Sequence, residues 1–257
     1  MFTPMPGAAP NQQVMVPSTF DNATKLLKVN LENHKFVAAV TFGLGAIGIK
    51  EPRTASSFMP EFEAELAGEK RVKVEVFAER LSVFFVKQWK LLGMPNNLPP
   101  GNEMVFMVGG YDKDAPYGTI FGFNIPSDPK PKQLIAEGQF GANWGGQREF
   151  TDRLMQGFDP NLPNAVHEIL GIPQERRDLT LEAQLKAKLG IPIPWQFLPL
   201  QDCVDLATFV IKTTMALQRF LVGVRGVGGA VDVATITRTE GFKEIQLKQV
   251  TGERHLN

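Results

Sequence analysis

Cysteine is nearly absent. Cys203 is the only one in 257 residues, so no internal disulfide can form and no thiol cluster can hold zinc or an iron–sulfur centre. Histidine is almost as scarce. His34, His167 and His255 are scattered in polar contexts without metal-ligand spacing, and neither a metal nor a cofactor is expected. Charge of one sign is missing too. Lys plus Arg and Asp plus Glu both number 27, so no global field draws in nucleic acid or an anionic membrane, and no block of like charge forms a binding tail. No apolar run is long enough to span a bilayer, and MFTPMPGAAPNQQ lacks the basic start and apolar stretch of a signal peptide. These absences exclude nucleic-acid and membrane partners and point to the reducing cytoplasm.

The length suits one large domain with a sizeable core. Residues 1–23, rich in Pro, Gln, Asn and Ala, read as an irregular segment, and residues 24–257 as the domain. KLLKVN and KFVAAVTFG predict two strands joined by a turn at Leu31 to His34, and a Gly-rich turn follows from Gly43 to Gly48. A helix is expected from Pro52 to Leu66, with Pro60 in its first turn or at a kink. The next is clearer. Val74, Phe77, Ala78, Leu81, Phe84, Phe85, Trp89 and Leu92 recur at helical steps until Gly93 and Pro95 stop the pattern, and this stripe is core rather than a cofactor groove.

EMVFMVGGY, GTIFGFNIP and KQLIAEGQF predict strands, with turn chemistry at Asp112 to Tyr117 and Pro126 to Pro131. Helices are expected over Gln147 to Met155, Leu179 to Leu189 and Leu200 to Leu221, broken by Pro-rich IPIPWQFLP. AVDVATITR and FKEIQLKQV read as a closing hairpin. Strands early, helices later and a terminal hairpin suggest an α+β chain of stacked sheets with helices outside.

Chemical signatures are sparse. GLGAIG has GxGxxG spacing at Gly43, Gly45 and Gly48, but Glu51-Pro52 stands where a dinucleotide-binding helix would continue. GVGGAVD lacks the Lys-Ser/Thr ending of a phosphate loop, and no GxSxG nucleophile elbow exists. Asp205 and Asp232 are the acids most embedded in apolar sequence, and both suit a salt bridge or cap better than acid–base chemistry.

In order, however, the segments resemble proteasome subunits. TKLLKVN followed by VAAVTFGLGAIG is similar to that family's Lys strand and the Gly-ended strand after it. MVFMVGGYD resembles its central strand, QLIAEGQFGANW its glycine turn into a helix, LQDCVDLATFVIKTTMALQRF its penultimate helix, and GGAVDVATITRTEGFKEI its ending. The resemblance implies an N-terminal-nucleophile hydrolase fold: a four-layer αββα sandwich of two antiparallel sheets with helices on both outer faces. It also implies threonine-type endopeptidase relatives acting in intracellular proteolysis, like subunits arranged in a ring, and unfolded polypeptide as the substrate of active members.

In those members an N-terminal Thr is nucleophile, with its own α-amine as base. The economy is sound, because an α-amine titrates near pH 7.7 to 8.0, about two and a half units below a Lys side chain. By position Lys25 matches the Lys whose charge lowers the hydroxyl's proton affinity, though a strand-edge Lys facing water is the alternative. Gly43 matches the Gly whose backbone N–H donates to the oxyanion, or is simply a strand-ending Gly. Thr41 and Gly45 would flank the substrate pocket.

The match breaks ahead of Lys25. Active members carry a strand hairpin there with the Thr at its start, whereas the 24 residues before Lys25 show no paired strand pattern. Thr3 is followed by Pro4, and the Gly118-Thr119 bond lies inside an expected strand. The family's Ser in the glycine turn falls at Ala142 or Asn143, and its late Asp falls near Val224. The expectation is therefore a chain without its first hairpin and without catalytic competence. It is either part of a longer peptidase or a non-catalytic ring subunit, with a small-molecule-binding α+β domain as the remaining alternative. Gly190 to Pro199 has no place in the family pattern.

Overall fold

The computed structural model describes residues 23–99, 101–223 and 225–249. The expected irregular segment to residue 22, and with it Thr3, lies outside them, as do Val224 and His255. The described chain is α+β and divides into two compact units. One comprises the residues up to Phe140 together with those from Gly229 onward, and the other is Gly141–Gly228.

The first unit is organised by a five-stranded antiparallel sheet in the order β1-β2-β5-β6-β7. Its strands are β1 (Leu26–Leu27), β2 (Val37–Gly43), β5 (Met104–Gly110), β6 (Thr119–Ile125) and β7 (Asp128–Ile135). Two short strands, β3 (Ala46–Ile47) and β4 (Arg53–Thr54), pair with each other, and β8 (Val233–Thr237) and β9 (Gly241–Gln246) form the closing hairpin. Strict alternation puts Met104, Phe106 and Val108 of β5 and Phe121, Phe123 and Ile125 of β6 on one buried face. Thr41 stands opposite Phe106, which stands opposite Phe123.

That face is covered by α2 (Val74–Leu91), whose expected apolar stripe is buried from Val74 to Trp89. The rings of Phe85 and Phe106 lie 4.6 Å apart, and those of Phe106 and Phe123 are stacked at 4.9 Å. Gly93 ends α2 at φ +66°. Its N–H donates to the Lys90 carbonyl at 3.1 Å and that of Met94 to the Trp89 carbonyl at 3.1 Å, the paired bonds of a Schellman motif. At the other end Asp112, from the loop after β5, accepts from the Val74 N–H at 2.7 Å and caps the helix from a distance.

Three local expectations need correction. The helix expected from Pro52 begins only at Met59: β4 and a 3₁₀ turn over Ala55–Phe58 come first, and α1 (Met59–Leu66) has Pro60 in its first turn, where a missing N–H costs nothing. The expected turn over Pro126 to Pro131 is shorter, since β7 already starts at Asp128. Pro129 and Pro131 fit within a strand because β7 is the sheet edge, where no neighbour needs their N–H. His34, expected in a polar turn, is 1 % exposed with neither ring nitrogen hydrogen-bonded among the described residues. Burial lowers its pKa, with Arg80 acting in the same direction and Glu69 opposing.

The second unit is helical: α3 (Glu149–Gln156), α4 (Leu162–Ile169), α5 (Leu181–Leu189) and α6 (Leu200–Gln218). Three of these match expected helices, whereas α4, opened by Pro163, was not anticipated because eight residues carry too little periodicity. The Pro-rich break before α6 forms a 3₁₀ turn over Trp195–Phe197. Asp152 is 4 % exposed and collects Trp144 Nε1 at 2.7 Å, Arg148 at 3.2 Å and Gln156 Nε2 at 3.2 Å. A buried carboxylate with three donors is a structural anchor for α3.

Candidate functional site

β1 is the other edge of the main sheet, and the residues singled out from the sequence gather around it. The Thr41 N–H donates to the Lys25 carbonyl at 2.9 Å, one step beyond the Leu26–Val40 and Leu27–Ala39 pairs. By register Lys25 therefore lies opposite Thr41, and Gly43, two residues along β2, falls on the same side of the sheet. Lys25 is exposed. Its amine is nevertheless held below the ordinary lysine value, first because the surrounding protein removes part of its hydration and second because Lys248 repels it.

Lys248 comes from the segment after β9. Its Nζ donates to the Ala23 carbonyl at 2.9 Å and to Asp232 at 2.9 Å, while its backbone N–H donates to Asp232 at 2.7 Å. Asp232 thus plays the structural part its sequence context suggested. Beside this pair lies a hollow of about 160 Å³, lined by Thr24, Leu26 and Lys28 with Asp232, Glu244, Leu247 and Lys248, and by none of Lys25, Thr41 and Gly43. Lys28 and Glu244 form an ion pair across its rim, and the Phe242 N–H donates to the Lys35 carbonyl at 2.6 Å, which ties β9 to the turn ahead of β2. A larger hollow of about 440 Å³, lined by Phe62, Leu66, Val76, Glu79, Arg80 and Val83, opens between α1 and α2 away from Lys25.

The other candidates have specific surroundings. Thr41 is 8 % exposed and its hydroxyl donates to the Val105 carbonyl at 3.0 Å, so that hydroxyl is occupied in joining β2 to β5. Gly43 is exposed, at φ +80°, and a Cβ built there would lie 2.2 Å from the Glu103 carbonyl oxygen. The strand end demands glycine for its own geometry. Gly45 is exposed with nothing within 4 Å of a built Cβ. Lys25, Thr41 and Gly43 are brought together, and Gly45 lies just beyond the strand. Lys248 was missed from sequence because its contact with Ala23 spans 225 residues and leaves no local signal.

Among the described residues no three His, Cys, Asp or Glu side chains are grouped to hold a metal, and no helix is long and apolar enough to cross a membrane. No protein-family model matches the chain, and no curated protein matches it.

Lys25 should titrate below the ordinary lysine value of about 10.4. Competitive amine labelling across the alkaline range, read peptide by peptide in the mass spectrometer, measures this. Lys248→Met should raise the Lys25 midpoint part of the way back, since the repulsion goes and the larger effect, desolvation, stays. A Lys25 midpoint at or above the ordinary value would contradict the arrangement described.

Proposed function

We propose that this chain is a proteasome-type subunit, related to threonine endopeptidases of intracellular proteolysis, which does not cleave peptides in the form given by its sequence. The observation that carries the reading is the placement of Lys25, Thr41 and Gly43 on one side of an antiparallel sheet, with Lys25 opposite Thr41 in register. In the family pattern a Lys and a glycine N–H flank the nucleophile, and Lys25 has the raised acidity that partial loss of hydration and a second lysine confer.

Support also comes from the sheet's second face. Ala38, Val40, Phe42, Val105, Met107 and Ile120 alternate onto it, and Val40 keeps 40 % of its surface exposed. A face this apolar suits a second sheet, of which β8 and β9 would be two strands, and this is the four-layer αββα arrangement of the proposal. In it the chain assembles with like subunits in the cytoplasm, without cofactor, and active relatives would act on unfolded polypeptide. A non-catalytic ring-building subunit is the second reading, favoured by the engaged hydroxyl of Thr41 and the steric demand for Gly43.

Fluorogenic peptides with and without a threonine-directed covalent inhibitor test the proposal. No inhibitor-sensitive turnover is expected from the chain as given. Turnover by this chain, with its N-terminal residue labelled, refutes the incompetence, and inhibitor-sensitive turnover that survives Lys25→Ala refutes the role of Lys25.

A further inference from the structure

Helical geometry divides α6 into two sides. Its buried residues, Thr214 and Gln218, lie one turn apart, and Gln218 Oε1 accepts from the backbone N–H groups of Gly226 at 3.1 Å and Val227 at 3.0 Å. The opposite side runs in steps of three and four residues: Asp202, Asp205, Phe209, Lys212, Ala216 and Arg219, the last at the C-cap. All six are exposed. Phe209 keeps 53 % of its surface open to solvent, and Phe220, next in the same direction, 84 %. A helix of this length holds Val204, Leu206, Val210, Ile211, Met215 and Leu217 as well, so it is apolar around most of its circumference, a composition that normally goes with burial.

The charges in the stripe have an order. Two acids come first, two bases last, and the aromatic ring lies between them. None of the four is in an ion pair among the described residues. Alternating three- and four-residue steps are the spacing by which one helix seats against another. Laid parallel, two copies would set acid against acid and base against base. Laid antiparallel, each acidic half meets a basic half, and the surface becomes complementary to itself under a two-fold axis.

We propose that α6 is a homodimer interface, in which two copies pair antiparallel about a two-fold axis close to Phe209. Asp202 faces the partner's Arg219, Asp205 lies within a turn of the partner's Lys212, and the two aromatic side chains cover the axis. The pairing depends only on the exposure and charge order of α6. It is independent of the peptidase reading, because a two-fold contact closes a pair whether or not the chain also enters a ring. A helix of about 28 Å gives a contact at the small end of the specific range, so the pair should be reversible.

Sedimentation of the full chain at tens of micromolar tests it, with two charge-reversed variants: Asp202→Lys with Asp205→Lys, and Lys212→Glu with Arg219→Glu. Their side chains are exposed, and circular dichroism checks that the helices are retained. Wild type is expected to dimerise, and each variant alone to dimerise about tenfold more weakly or less, because every facing pair becomes repulsive. An equimolar mixture of the two should recover the dimer, now as a heterodimer. In a Cys203→Ser background, Phe209→Cys should form an interchain disulfide on mild oxidation. A monomeric wild type, variants that associate as well as wild type, larger assemblies insensitive to both variants, or a mixture that stays monomeric would each overturn the proposal.

Discussion

Phe106→Ala is expected to destabilise the first unit by about 4 kcal/mol, in the upper range for truncation of one core side chain. Phe106 is fully buried, stacked on Phe123 across the sheet and in contact with Phe85 of α2, so it joins both layers at once. Its removal loses the transfer free energy of the ring and leaves a void that β5, held between β2 and β6, cannot collapse to fill. Urea unfolding followed by tryptophan fluorescence measures the change, since Trp89 lies in the same core. Val83→Ala is the control. Val83 is on the same helix but 69 % exposed, and a change within about 0.5 kcal/mol is expected there. Equal losses at the two positions would mean that α2 packs by another face.

Gly43→Ala should cost about 3 kcal/mol, and Gly45→Ala almost nothing. At position 43 the backbone is left-handed, and the added methyl would meet the Glu103 carbonyl oxygen at 2.2 Å, so β2 or the start of β5 must move. At position 45 no such conformation and no neighbour stands in the way. Thermal denaturation of the two variants side by side gives the comparison. The outcome also bears on function, because loss of fold at Gly43 accounts for that glycine without any oxyanion. An unchanged melting temperature in Gly43→Ala would return the residue to a purely chemical role.

The elements most legible from sequence are those whose signal is local. The span of α2 could be read from its stripe and its stop because every turn of a helix repeats the same requirement, and Gly93 supplies the one conformation that ends it. β5, β6 and the terminal hairpin were legible for the same reason: alternation and turn residues lie within a few positions of each other. Short or proline-bearing elements were not. α4 is too brief to show a period, and the start of β7 carries two prolines that would exclude it from the middle of a sheet but not from the edge, a distinction made by strand order alone.

By itself the sequence determined the α+β class, the buried stripe of α2 and the lack of an internal disulfide, while Lys25, Thr41 and Gly43 were singled out by the family resemblance and the strand register set Lys25 opposite Thr41. Only the tertiary structure decided which environment those residues meet. Lys248 reaches Ala23 from the far end of the chain and repels Lys25, the Thr41 hydroxyl is spent on Val105, and His34 is enclosed where its local sequence suggested a wet turn. The physical reason is common to all three. Solvation and charge depend on what is near in space, and for contacts that close loops of many residues nothing in the neighbouring sequence encodes the partner.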